Sequence, residues 1–239
     1  MHKKLSYLFA GLVLSLPALA EDQAASWQGN AALAFTRSGG NTTSTTYSAA
    51  IDEARTSKEN KVSLYLSALY GESQGIKSAD KSRAGSRFDH NLTDTTFGFG
   101  LLELEKDVIA DLQLRTGGGA GFGYYFARND VNSFDVFSGL TYSKADLISG
   151  TTNRGSEILL GEESNHKLSE TTRLKQKLSC YPSAEQSGQY RTQFEGGLVV
   201  DVSSTMGLSI SLQNKYLTSA AVGMKRSDTM LLTGLNIKL

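Results

Sequence analysis

The sequence predicts an all-β protein, a transmembrane antiparallel up-and-down β-barrel of about 12 strands. Three observations carry this. Apolar and polar residues alternate at period two over runs of about ten residues. After residue 20 no window holds 18 consecutive apolar residues, so no helix of the mature chain is expected to span a membrane. The connections between runs alternate between short and longer segments, as the two rims of an outer-membrane barrel require.

Residues 1–20 read as a secretory signal peptide, and residues 21–239 as the barrel. Lys3 and Lys4 form a positive start, an apolar stretch runs from Leu5 to Leu16, and Ala18-Leu19-Ala20 is an A-x-A cleavage site. Export is therefore expected.

The clearest strands follow in order. Trp27, Gly29, Ala31, Leu33 and Phe35 share one face. Val62, Leu64, Leu66, Ala68 and Tyr70 alternate with Ser63, Tyr65, Ser67 and Leu69. Phe134, Val136, Leu140 and Tyr142 alternate with Asp135, Gly139 and Thr141. Tyr190 to Val202, Leu208 to Tyr216 and Leu231 to Leu239 repeat the pattern. Weaker strands fall near 43–55, 80–91, 95–105, 115–127, 154–164 and 171–181. In 95–105 the face is ambiguous, because Phe97, Phe99 and Leu101 compete with Leu102 and Leu104. Short turns are expected at 56–60, 92–95, 128–131, 165–170 and 203–205, on the periplasmic rim. Longer loops are expected at 72–79, 105–112, 144–153, 182–188 and 218–226. An open sheet of this size would leave two long unpaired edges, and closure removes both. An even strand number returns both ends to one rim. Aromatic residues near strand ends (Trp27, Phe88, Tyr124, Tyr125, Phe126, Tyr142, Tyr181 and Tyr216) are expected as interfacial girdles. A soluble β-sandwich is the competing architecture.

Composition fits this picture. Twenty-four basic and 24 acidic side chains balance, so no positive excess exists to bind nucleic acid. Alternate residues facing lipid and water also average to a polar composition, which hides the membrane face. Cys180 is the one cysteine, which excludes an intramolecular disulfide; it reads as an apolar filler on a strand.

The residues resemble a known family. Trp27-Gln28-Gly29 followed by Ser38-Gly39-Gly40-Asn41-Thr42 is similar to the opening of the YdiY-like salt-induced outer-membrane proteins of Gram-negative bacteria. Glu105-Lys106-Asp107 leading to Leu112-Gln113-Leu114-Arg115 resembles the family's mid-chain block. Gly119-Ala120-Gly121-Phe122-Gly123-Tyr124 resembles its glycine-rich strand, and Lys225-Arg226-Ser227-Asp228 its closing hairpin. The resemblance implies an outer-membrane β-barrel and, through the family's name, a link to salt or osmotic stress.

Catalytic signals are weak. His90 and His166 fall near short turns, on the rim away from the outer leaflet where a lipid hydrolase would work. Asp52-Glu53 and Glu162-Glu163 are adjacent strand residues, so each pair splits between two faces and cannot share a proton. The run Gly117 to Gly123 lacks the spacing of a phosphate loop. It reads as a bare strand face into which Tyr65 or Tyr125 could pack. No catalytic, metal or cofactor-binding residue is assigned, and no cofactor is expected.

The inward face carries the charge. The candidate lumen-lining residues are Arg83, Arg87, Arg115, Asp135, Glu157, Glu163, Arg173, Lys175, Lys177, Arg191, Glu195 and Lys215, with Asp89 and Asp201 beside them. Glu157 and Glu163 are expected to pair with Arg173, Lys175 or Lys177 on the neighbouring strand. Two functions follow: a small passive pore for ions or small solutes, or a non-conducting structural or surface-binding barrel with a charge-plugged lumen. The expected partners are outer-membrane lipids, the barrel-assembly and periplasmic chaperone machinery, and small ions or solutes. The expected state is a monomer.

Overall fold

The computed structural model describes residues 26–39, 43–219 and 225–239. Residues 1–25, 40–42 and 220–224 lie outside them, and with them the expected signal peptide and Gly40-Asn41-Thr42. The described chain forms a closed antiparallel barrel of twelve strands in sequence order. They are β1 (Trp27–Ser38), β2 (Ser44–Thr56), β3 (Asn60–Ser73), β4 (Ile76–Asn91), β5 (Thr96–Asp107), β6 (Leu112–Arg128), β7 (Asn132–Leu147), β8 (Thr152–Lys167), β9 (Thr172–Pro182), β10 (Tyr190–Asp201), β11 (Met206–Leu217) and β12 (Ser227–Lys238). Both strand ends, Trp27 and Lys238, lie on the rim of the short turns.

The opposite rim departs from expectation. The loop expected at 72–79 is a two-residue turn, Gln74-Gly75, with φ of 52° and 76°. Two successive positive φ values make the tight hairpin turn that matches strand twist, and glycine adopts the second without penalty. The connections expected at 105–112 and 144–153 shrink to 108–111 and 148–151. The missing loop residues are strand. β4, β6, β7 and β8 run 16, 17, 16 and 16 residues, well beyond the hydropathy runs of about ten. Past the apolar belt both faces of these strands turn polar, as in Lys77-Ser78-Ala79-Asp80. Hydropathy alternation then vanishes while the backbone ladder continues.

The outward face is a belt of exposed apolar side chains, among them Leu33, Phe35, Leu66, Leu102, Phe122, Leu140, Leu160, Leu208 and Leu231. A continuous belt of this kind is covered by lipid in membrane barrels. Trp27, Phe88, Tyr124, Phe126 and Tyr142 point outward as girdle residues should. Tyr125 and Tyr181 do not. Tyr181 is 3% exposed inside the barrel, and Tyr125 packs against the inner cluster. The ambiguous strand is resolved: Phe97 and Phe99 are buried inside, while Leu102 and Leu104 are exposed outside.

The inner cluster is Phe97, Phe99, Phe137, Leu159 and Tyr181. It lies over the glycine face of β6. A side chain at Gly121 would meet the Phe99 ring and the backbone of Gly139, and one at Gly123 would meet the Phe97 ring. Phenylalanines from β5, rather than Tyr65, cover the bare strand. Tyr65 instead lies over Gly85.

Strand pairing is extensive except at the seam. β2 and β3 match over thirteen residues, from Ser44↔Ser73 to Thr56↔Lys61. β1 and β12 match at four positions, Asn30↔Lys238 to Leu33↔Leu235. Among the described residues, 34–38 of β1 and 227–234 of β12 have no register with each other.

Candidate functional site: a lumen crossed by charged pairs

β4 is the source of the site. Lys81, Arg83, Arg87 and Asp89 share its inward face by alternation. Arg83 crosses the lumen to Glu195 on β10 and donates a second hydrogen bond to Gln193 at 2.9 Å. In a ring of twelve strands, β4 and β10 are diametrically opposite. β5 and β11 are opposite as well, and Glu105 joins them by accepting from Lys215. Arg115 on β6 donates to the same carboxylate at 2.8 Å. Lys81 reaches Asp228 on β12 and lies 3.5 Å from Asp107 on β5. Together these side chains form a septum across the barrel.

The other charges flank it. Arg191 makes a bidentate pair with Glu157, both contacts at 3.0 Å, and its guanidinium lies 3.4 Å over the Tyr181 ring. Arg87 lies over Phe99 and Phe137 at 4.7 and 4.4 Å and donates to Asp89 at 2.7 Å. Such stacking holds a cation on an apolar surface at little desolvation cost. Asp201 bridges Arg173 and Lys238 at 3.0 and 2.7 Å near the short-turn rim. Tyr65 donates to Glu103 at 3.2 Å. The space between Tyr65, Arg83, Glu103, Glu105, Arg115 and Arg191 amounts to about 10 Å³ for the centre of a water molecule. That is room for about one water.

All twelve candidates lie on lumen-facing strand positions, but the expected pairing needs correction. Glu163 does face Lys177 in register, and Lys177 also faces Glu195. Glu157 bonds instead to Arg191, one strand further on. In the register that pairs Leu160 with Cys180, Glu157 faces Ser183, which carries no charge for it to pair with. Asp135 faces Glu163 across β7 and β8. Lys175 projects between Asn165 and Gly197. The sequence reading missed Lys81, Glu103, Glu105, Asp107 and Asp228. Lys81 shares the parity of Arg83 and could have been included. Glu103 and Glu105 were lost to the ambiguity of their strand.

The two histidines lie at the short-turn rim, His90 with Asn60 and His166 with Asn132 at 2.9 and 2.8 Å. Gly71-Glu72-Ser73-Gln74-Gly75 has the G-x-S-x-G spacing of a hydrolase nucleophile elbow, a motif the sequence reading wrongly counts as absent. Here it is the end of β3 and its tight turn, with no helix following, on the rim opposite both histidines.

A closed, even-stranded barrel with an apolar belt outside and charge inside defines the outer-membrane type of β-barrel. The chain belongs to the family described as "Protein of unknown function, DUF481", whose model matches residues 31–239. No curated protein matches the sequence. Among solved structures, an outer membrane channel from Pseudomonas putida F1 aligns at 8% identity over 90% of this chain and 94% of its own, with a TM-score of 0.51. The NanC porin aligns at 11% identity over 87% and 97%, with a TM-score of 0.49. At these identities the likeness is one of fold.

Proposed function

We propose that the protein is an outer-membrane barrel that lets small ions or solutes pass through a narrow, charge-lined lumen. The observation that carries this reading is the make-up of the obstruction. It consists of long Arg, Lys and Glu side chains from opposite walls, such as Arg83 with Glu195 and Lys215 with Glu105. Side chains of this kind exchange partners with water and ions far more readily than a folded plug rearranges. The fold likeness to an outer membrane channel from Pseudomonas putida F1 is consistent with it. The reading assigns no catalysis. Its partners are outer-membrane lipids, the assembly and chaperone machinery and the permeating solute, and its state is a monomer. The YdiY-like resemblance adds salt or osmotic stress as the condition of use.

A second reading is a non-conducting, braced barrel. It is favoured by the packed cluster around Phe97 and by the room left at the septum for about one water. Planar-bilayer recording of refolded protein decides between them. Discrete current steps are expected for the pore; a silent bilayer carrying correctly folded barrel would overturn it.

A further inference from the structure

Several inward charges of this barrel are covered by what they pair with. Asp89, Glu105, Asp107 and Arg191 are all buried. Asp52 on β2, Lys175 on β9 and Gln213 on β11 behave differently. Register sets them beside the inward residues Tyr65, Gly197 and Glu195, so they point into the lumen, yet all three are exposed. An inward side chain is exposed only where the lumen beside it is open. The opening has a cause in the sequence. From β10 round to β2 the inward positions include Gly197, Ser211, Gly234, Ala32 and Ala50, none of which can reach across the barrel. On the side of β5 to β9 the phenylalanine cluster fills the interior.

Asp52 and Lys175 also lack charged neighbours on the adjoining strands. Asp52 faces Asn30 and Tyr65 in register, and Lys175 faces Asn165 and Gly197. Lys177, by contrast, lies between Glu163 and Glu195. Among the described residues neither Asp52 nor Lys175 makes an ion pair or a side-chain hydrogen bond. Across the lumen each is nevertheless the other's foremost opposite charge. β2 and β9 are five strands apart in the ring, close to opposite. Arg83 and Glu195 span the barrel in contact because both side chains are long. Aspartate is a methylene shorter than glutamate, and lysine lacks the reach of the guanidinium fork. Here the two charges stop short of each other, with water between.

We propose that the gap between Asp52 and Lys175 is a selectivity subsite for small zwitterions, which pass with the cationic nitrogen toward Asp52 and the carboxylate toward Lys175. Opposed charges set up a field across the path rather than along it. A simple ion is attracted by one member of the pair and repelled by the other, so its gain is small. A neutral solute gains little from either. A solute bearing both charges gains from both at once and is held in one orientation. The proposal rests on the pore reading above and names the class of solute.

Swelling of proteoliposomes tests it, with alanine as the zwitterion and lactamide as an uncharged solute of nearly the same size. In the native protein alanine should enter several-fold faster than lactamide. Asp52→Asn and Lys175→Gln should each bring that ratio close to one. Exchanging the charges, Asp52→Lys with Lys175→Asp, should restore it, because the same field then points the other way. Heat-modifiable gel migration shows which variants are folded, and if the exchange variant is not, the two neutralised variants decide. A native ratio near one, a ratio that either neutralised variant leaves unchanged, or a folded exchange variant that stays near one would overturn the subsite. Lactamide entry would in each case still report a pore. No lactamide entry through a folded barrel would overturn the pore reading itself, and the subsite with it.

Discussion

Arg83 on β4 is hydrogen-bonded to Glu195 on β10, the strand directly across the barrel, although 112 residues separate them in the chain. A cation and an anion thus span a lumen that either alone would leave open. If this pair is the narrowest element of the septum, Arg83→Ala should enlarge the single-channel conductance several-fold. Glu195→Ala should do the same. The double variant should add little, because either change already breaks the link. Recordings of the three variants check this, and additive effects would place the constriction elsewhere.

Salt should act on the same element. Between about 0.1 M and about 1 M the screening length falls from about 10 Å to about 3 Å. Pairs bordering water weaken as it does so. Conductance should therefore rise with potassium chloride more steeply than bulk conductivity, whereas in an Arg83→Gln variant it should follow bulk conductivity. A current–concentration series on both proteins measures this.

Charge reversal at the lumen wall should change selectivity. Arg173 and Lys175 lie on the inward face of β9, with Arg173 held by Asp201 at 3.0 Å. Arg173→Glu with Lys175→Glu should shift the reversal potential, in a salt gradient, toward cation preference. An unchanged reversal potential would remove both residues from the ion path.

The glycine face of β6 allows a paired test of packing. An added methyl at Gly123 meets the Phe97 ring, whereas one at Gly121 also meets the backbone of Gly139 at 2.6 Å. Each Gly→Ala change should cost about 1–3 kcal/mol by overpacking. Phe97→Leu should recover part of the loss at Gly123. Phe99→Leu should recover little at Gly121, because backbone cannot move aside as a ring can. Urea unfolding in detergent, followed by heat-modifiable gel migration, reports both.

Arg191 offers a test of chemistry at constant charge. Its planar fork binds Glu157 through two hydrogen bonds and stacks on Tyr181. Lysine keeps the charge but not the fork or the stack. Arg191→Lys should lower stability by about 1.5–3 kcal/mol, the range for a hydrogen bond to a charged group. The same urea assay reads it, and wild-type stability would show that charge alone suffices.

Much of this molecule was legible in its sequence because strand periodicity is local. Alternation at period two needs only neighbouring residues, and it yields the twelve strands; Arg83, Arg191 and Lys215 each fall on one parity of their own strand. It fails where local hydropathy carries no sign. Phe97 and Phe99 read as lipid-facing as readily as lumenal, and Lys77 to Asp80 read as loop because both faces of that strand meet water.

What only the closed barrel decides is which residues meet across space. Glu157 is two strands from Arg191; its in-register neighbour is the uncharged Ser183, so its carboxylate pairs with Arg191 on β10, a matter of register and shear. Arg83 finds Glu195 because closure in a ring of twelve sets β4 against β10. The seam is of the same kind. The composition of β1 and β12 resembles that of the other strands, yet their ladder stops after Leu33↔Leu235. Closing a ring joins the first strand to the last, and no local pattern determines how far that final pairing extends.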